Sequence, residues 1–472
     1  MMMKELRFIY ILFALFMITA CENYLDITPE GQVKRDDLLS TPEGVEDAMY
    51  GVYSQLRDPY LYGRELSYSA LDVMAQYFES KGNNKVEALL KYDYDYSDVE
   101  SLFEATWINM YKNISNVNSI LNSGLVGSAT DYPAKIYRGE ALGLRAFMHF
   151  DLLRIFTEQV TVNQEAEGIP YATEFSLNTP NFSKVSQVYD YIIADLLQAE
   201  ELLSDEAQYI GKRDFMTMRQ IHFNIHAVRA TLARVYLTKG DYENALIYAR
   251  KVITESGCSL LKYTELKGDV AGVLSRKETI FGVQSSTDFY SNVYDDLWLK
   301  TSFYSLDPRP NYAEIYEANG EEDYRLGAFF ETQMSGFVRF IKVLDRYKVD
   351  GNEANRPSDM IQGINMIRLP EMYYITAECY INKNNLSLAA DMLDAVRISR
   401  GVTAVKRDNI TAEILQNTIN EERYKELVGE GQTFFNLKRQ NLPITTIEGV
   451  TVTPSKNVFV VPVPDIEYEY RN

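Results

Sequence analysis

Two stretches of the chain repeat one another at an offset of 144 residues. Ala233, Tyr236, Gly240, Tyr242 and Ala245 stand at the same spacing as Ala377, Tyr380, Asn384, Leu386 and Ala389. Small residues at a helix crossing let two backbones approach, an aromatic ring packs over them, and Gly or Asn supplies the turn. This is the tetratricopeptide (TPR) pattern of antiparallel helix pairs. It constrains the fold strongly, because one such pair cannot bury its apolar face alone and must stack on others. The spacing predicts pairs over 221–256 and 370–400. Helices over about 136–156 and 185–203 form a further, degenerate pair.

Helical periodicity runs through most of the remaining chain, with no βαβ alternation and no series of evenly spaced strands. Ser40-Thr41-Pro42-Glu43 combines a cap, a first-turn proline and an acidic residue, and predicts a helix through Val45, Ala48, Met49, Val52 and Tyr53. Further helices are expected over about 99–121 and, as one long element, about 411–440. The fold class expected is therefore mainly α: a TPR-like helical-repeat scaffold with long irregular insertions at 80–98, 157–184, 257–368 and 441–472. Segments that long are functional or disordered. The 35 tyrosines of the chain, many of them in these segments, argue for order.

The N-terminus predicts where the chain resides. Lys4 and Arg7 precede an uncharged apolar run, Phe8 to Ile18, that is too short to cross a bilayer and fits a secretory signal. The run ends in Ile18-Thr19-Ala20-Cys21, the form of a lipobox, so residues 1–20 are expected to be removed and Cys21 to be diacylated. Two acyl chains anchor a protein stably where one does not. Residues 21–34 then read as a tether, and 35–472 as a single helical domain carrying the 257–368 insertion.

Removing Lys4, Glu5 and Arg7 with the signal takes the formal charge from −20 to −21. Such acidity excludes nucleic acid as a partner, since phosphate binding needs a basic patch. Cys258 and Cys379 sit in unrelated apolar segments and read as free buried thiols rather than a disulfide. No cofactor or metal is expected. His222 and His226 have i, i+4 spacing, but Phe223 stands where a zinc peptidase needs Glu. No Gly-rich phosphate loop, nucleophile elbow or other catalytic constellation emerges, so the chain does not read as an enzyme. Trp107 shares a helical stripe with Tyr111 and Ile114 and reads as core. A salt bridge linking Arg423 to Glu426 or Glu430 is expected within the last helix.

Several ordered segments resemble the SusD/RagB family of outer-membrane nutrient-uptake lipoproteins. Behind the lipobox come Leu25-Asp26-Ile27-Thr28-Pro29; Trp107, Tyr111, Ile114, Asn118 and Leu121; Gly139-Glu140-Ala141 with Leu144-Arg145-Ala146; Asp195-Leu196; and Leu369-Pro370-Glu371. Near the end stand Glu422-Arg423, Glu426-Leu427 and Glu430-Gly431, then Val461-Pro462-Val463-Pro464. The chain departs from the family at Gln432, Thr433 and Asn436-Leu437, where Arg and Asp-Leu are usual. The resemblance implies about four TPR-like pairs and a lipid-anchored, surface-exposed protein of the outer membrane. It implies a TonB-dependent (SusC-like) transporter as partner, which this protein covers as a lid. The implied cargo is glycan, with peptide as the alternative. A TPR-type envelope scaffold for protein assembly is the reading from the repeats alone.

The candidate ligand contacts lie in irregular segments. Tyr92, Tyr94 and Tyr96 alternate with Asp93 and Asp95 just before the Trp107 helix. An extended strand would place the three rings on one side. Phe289, Tyr290, Tyr294 and Trp298 form a second cluster within the insertion. Aromatic faces stack on the apolar faces of sugars, and the same rings also serve to anchor their own loops. The Cys21→Ala variant is expected to leave the detergent phase and lose acyl labelling. Its persistence in the membrane fraction would contradict the anchor.

Overall fold

The repeat residues close two helical hairpins. In the computed structural model, Ile225–Lys239 and Tyr242–Glu255 form one antiparallel pair, Leu369–Asn382 and Leu386–Ser399 the other. Ala233, Ala245, Ala377 and Ala389 are all fully buried. The turns are equivalent in detail: Gly240 (φ +79°) and Asn384 (φ +57°) both take the left-handed conformation. Asp241 and Asn385 then cap the second helices, accepting from the N–H groups of Asn244 and Leu388 at 3.1 and 3.2 Å.

The structure describes residues 34–472 apart from 177, 267–273, 276, 286–292, 294–296, 299–304, 318–322, 335, 345–346, 348–350, 356–359, 470 and 472. The signal segment, Cys21 and the tether up to 33 lie outside the described residues. We number the scaffold helices α1 (Pro42–Leu56), α2 (Ser97–Leu121), α3 (Ala134–Phe156), α4 (Val185–Leu202), α5 (Ile225–Lys239), α6 (Tyr242–Glu255), α7 (Leu369–Asn382), α8 (Leu386–Ser399), α9 (Ala412–Glu426) and α10 (Thr433–Arg439). Helices α1 and α2, α3 and α4, α5 and α6, and α7 and α8 pack as pairs, and α2–α3, α4–α5 and α6–α7 contacts join the pairs into one stack. Helix α9 closes the stack against α7 and α8. Thr41 caps α1 as the sequence predicts, accepting from Gly44 N–H at 3.2 Å. Trp107 is buried in the core, its Nε1 donating to Glu467 at 2.9 Å.

The insertion at 257–368 is stapled at its base. Strands β1 (Thr279–Gln284) and β2 (Gly363–Arg368) pair antiparallel, and β2 runs directly into α7. The segment between them is thus closed at both ends onto the third and fourth helix pairs. Cys258 and Cys379 are free thiols, the latter buried and pushed up to about 12 by that burial.

Three expectations are corrected. The last helix is two helices, α9 and α10, because a turn at 427–432 intervenes. Lys342 Nζ takes the carbonyls of Glu426 and Val428 at 2.7 Å each, and Gly429 N–H donates to Asp72. Gly431 (φ +64°) lies so close to Leu66 that a Cβ would fall 2.0 Å from its carbonyl oxygen. Arg423 pairs with Glu378 at 3.0 Å rather than with Glu426. His222 has extended backbone ahead of α5, so the two histidines do not share a helix; His222 Nδ1 lies 3.3 Å from Glu140 instead.

Glu426 and Glu430 belong to a buried ion cluster. Arg368 reaches Glu278 (3.0 Å), Glu426 (2.9 Å) and Glu430 (2.5 Å). Arg400 reaches Glu278 (2.8 Å) and Glu426 (2.9 Å), and Arg325 reaches Asp323, Glu422 and Glu426 at 2.7, 2.6 and 3.3 Å. Burial pushes the Glu426 carboxyl up, but Arg400 and Arg368 outweigh it and hold it well below the usual carboxylate range.

Helix α3 carries a second buried pairing. Burial opposes ionisation of Glu140, yet Arg219 and His222 hold its pKa at about 2, against 4.5 for a free carboxyl. Stability from this pairing is therefore complete above about 4.5 and is lost as pH falls toward 2. In denaturant titrations Glu140→Gln is expected to cost about 3 kcal/mol at neutral pH, with the gap to the parent protein closing as pH falls toward 2. A gap that stays constant with pH would contradict the pairing.

Candidate functional site

The family-like charged residues are consumed inside the scaffold. Arg145 grips Asp195 through Nε and Nη2 at 2.7 and 2.8 Å, and Arg234 grips Glu371 at 2.7 and 2.6 Å. Buried bidentate pairs of this kind fix helices against each other and leave little to offer a ligand. A cavity lies instead among the irregular segments.

There, residues far apart in sequence enclose a cavity of about 670 Å³, within the usual range for small-ligand clefts. One wall is Glu79, Ser80 and Lys81, which follow Phe78; a second is the end of the short helix Asn84–Leu90, with Glu87, Lys91 and Tyr92. The third is the hairpin Ile444–Thr445/Thr451–Val452, with Thr446, Glu448 and Val450, and beside it stand Asn457 and Val458.

Gln76, three residues ahead of the first wall, clips the other two together. Its Nε2 donates to Leu90 O (3.0 Å) and Tyr92 Oη (3.1 Å), and its Oε1 accepts from Ile447 N–H (3.2 Å). Tyr92 Oη donates in turn to Met74 O at 3.1 Å. Burial pushes the Tyr92 phenol up to about 12, so it remains a neutral donor. Tyr94 Oη donates to Val458 O at 2.7 Å and ties down the remaining wall. Leu90, Tyr92, Val450, Val452 and Val458 give the cavity apolar surface. Carboxylates (Glu79, Glu87, Glu448), ammonium groups (Lys81, Lys91) and the polar Ser80, Thr446 and Asn457 surround it. Such a lining offers both signs of hydrogen-bonding group beside apolar surface, which suits a polyhydroxylated ligand.

The sequence candidates fare unequally. Burial alternates as expected, with Tyr92 and Tyr94 buried, Tyr96 half-buried, and Asp93 and Asp95 exposed. The backbone is not an extended strand, however. Tyr92 has φ +58° and Tyr96 is the residue before α2, because the segment is a tight link between two helices. The rings turn into the body, and of the three Tyr92 lines the cavity. Trp298 is fully buried and packs at 4.6 Å on Phe78 and 5.1 Å on Phe340, anchoring the insertion. Phe289, Tyr290 and Tyr294 lie outside the described residues. Sequence reasoning missed Gln76, Glu79, Lys81 and the hairpin at 444–452. Its one local signal was the Glu448-Gly449 turn, with Gly449 at φ +80°. Also unforeseen is an exposed aromatic pair, Tyr263 and Tyr324, with ring centroids 4.5 Å apart.

Two family models match the chain. One, described as starch-binding and associating with the outer membrane, matches residues 23–237; the SusD family model matches residues 315–456. SusD-like protein P2 of Formosa agariphila is 23% identical, covering 93% of this chain and 91% of its own. A SusD-like carbohydrate binding protein from Bacteroides vulgatus superposes with a TM-score of 0.73 at 20% identity, over 90% of this chain and 95% of its own. A SusD superfamily protein from Bacteroides thetaiotaomicron gives 0.72 at 22%, over 93% and 98%. With family models matching residues 23–237 and 315–456, together most of the chain, and a mainly helical TPR-like scaffold in common with the solved structures, the chain belongs to the SusD/RagB family.

Proposed function

We propose that this protein is an outer-membrane-associated nutrient-binding protein that captures a carbohydrate in the Tyr92 cavity and delivers it to a TonB-dependent transporter. The observation that carries the reading is the cavity itself: Tyr92, aliphatic side chains, and carboxylate, ammonium and hydroxyl groups gathered among the irregular segments. The family model described as starch-binding supports the ligand class. The protein is a binder and not a hydrolase, and the transporter performs the import.

The lipidated Cys21 and the tether 21–34 complete the reading. They hold the single domain 35–472 at the cell surface and let it hinge over its partner. Among the described residues no helix is long and apolar enough to cross a membrane. Of the remaining candidates, Phe289, Tyr290 and Tyr294 are retained as ligand contacts to be tested by substitution, and Trp298 acts as a support through its packing on Phe78.

Binding is tested by calorimetry or affinity electrophoresis against a panel of soluble glycans and peptides. Val450 is 61% exposed, so Val450→Asp should fold normally. It is expected to weaken glycan binding at least tenfold, about 1.4 kcal/mol or more, and Glu448→Ala severalfold, with melting temperatures unchanged. Glycan binding unaffected by either variant would remove the cavity from the account. Binding confined to peptides would replace the ligand class. Co-purification of a transporter with the native lipoprotein tests the partner, and its absence from gently solubilised membranes would contradict it.

A further inference from the structure

A second cavity, of about 520 Å³, shares no lining residue with the first. It lies where the end of α4, the turns at Glu206–Tyr209 and Arg219–Ile221, the first turn of α5, the end of α6 and β1 meet. It therefore belongs to the helical stack. Its walls hold two buried polar atoms that have no hydrogen-bond partner among the described residues, Arg219 Nε and His226 Nδ1.

The charged groups of this cavity are paired. Arg219 reaches Glu140 and Glu206 at 2.7 Å each. Glu206 also accepts from Ile225 N–H at 3.0 Å. Asn224 takes the N–H groups of His226 and Ala227 at 2.8 and 3.0 Å. Arg229 reaches Glu200 at 2.8 Å and Glu255 at 2.6 Å. Each guanidinium is thus already flanked by two carboxylates.

That arrangement selects among ligands. A carboxylate or phosphate would meet the carboxylates around both guanidiniums. An ammonium would face the donor-only Arg219 Nε–H. Burial lowers the His226 pKa to about 4, so the ring is neutral at neutral pH and Nδ1 presents either a lone pair or an N–H. A hydroxyl group complements both atoms, since it accepts from the guanidinium and both donates to and accepts from a neutral imidazole. Leu203, Ala207, Ile210 and Ile280 supply apolar wall for a carbon skeleton.

We propose that this cavity is a second binding site, for a small uncharged polyhydroxyl compound such as a mono- or disaccharide. It stands on its own residues and does not depend on the reading of the Tyr92 cavity.

Cys258 lines the site and supplies the reporter. It is half-buried, its thiol pushed up by burial, while Cys379 is buried deeper and its thiol is pushed up to about 12. In the intact lipoprotein at mildly alkaline pH, N-ethylmaleimide labelling of Cys258 is followed by peptide mass spectrometry. Glucose, xylose, maltose and cellobiose are compared with sodium acetate and methylammonium chloride. At least one sugar is expected to slow labelling threefold or more with saturation, and neither salt to do so. His226→Phe should abolish the protection, and His226→Gln, which keeps a polar group there, should retain part of it. Val450→Asp, which adds a charge to the lining of the other cavity, should leave the protection intact. Labelling insensitive to all four sugars, protection by acetate as strong as by sugar, or full protection in His226→Phe would each overturn the proposal.

Discussion

The fold depends on the buried carboxylate of Glu426 and the three guanidiniums around it. Arg325 and Arg368 come from the insertion, and Arg400 follows α8. Glu278, at the start of β1, closes the ring from the far strand. Buried ion pairs add little net stability over apolar packing, but losing one partner strands the others at a cost of several kcal/mol. The cluster thus acts as a condition for folding: insertion and repeat helices must come together or leave charges buried without partners. The influence reaches the cavity through contacts already described. Glu426 and Glu430 fix the turn at 427–432. That turn packs Gly431 on Leu66 and donates from Gly429 to Asp72. The segment that follows carries Gln76, the clip that joins the walls around Tyr92.

This arrangement separates two roles within one chain. The charged residues that carry the resemblance to the family, Glu140, Arg145, Asp195, Glu371, Glu426 and Glu430, are spent on internal pairings. The groups that face the Tyr92 cavity come from links, a hairpin and helix ends, which change without disturbing the stack. A rigid repeat body thus carries an adaptable face.

The scaffold was legible because its signals are local. A five-residue spacing revealed both hairpins, and Thr41-Pro42 marked α1, because turn and cap chemistry act within a few residues. The break between α9 and α10 was not legible. Helical propensity runs through 411–440, and the interruption depends on Lys342, some 85 residues earlier, capturing two carbonyls. The partner of Arg423 was misread for the same reason, since Glu378 lies on another helix. At the site, the alternation of Tyr92, Tyr94 and Tyr96 correctly separated rings from carboxylates. It did not show that the rings face inward, nor that residues 79–92 meet a hairpin some 360 residues away in sequence. Trp298 illustrates the same limit: a large ring in an irregular segment equally serves a ligand or the core, and only packing on Phe78 and Phe340 decides.

The most direct test of this dependence is hydrogen exchange on Glu426→Gln, which keeps the shape of the side chain and removes its charge. The account predicts at least tenfold faster exchange in the β1–β2 ladder and in residues 72–80 together, with α5 and α6 remaining protected. Unchanged protection in the ladder and in 72–80 would contradict it, and would show that the insertion and the cavity are held by packing independent of the ion cluster.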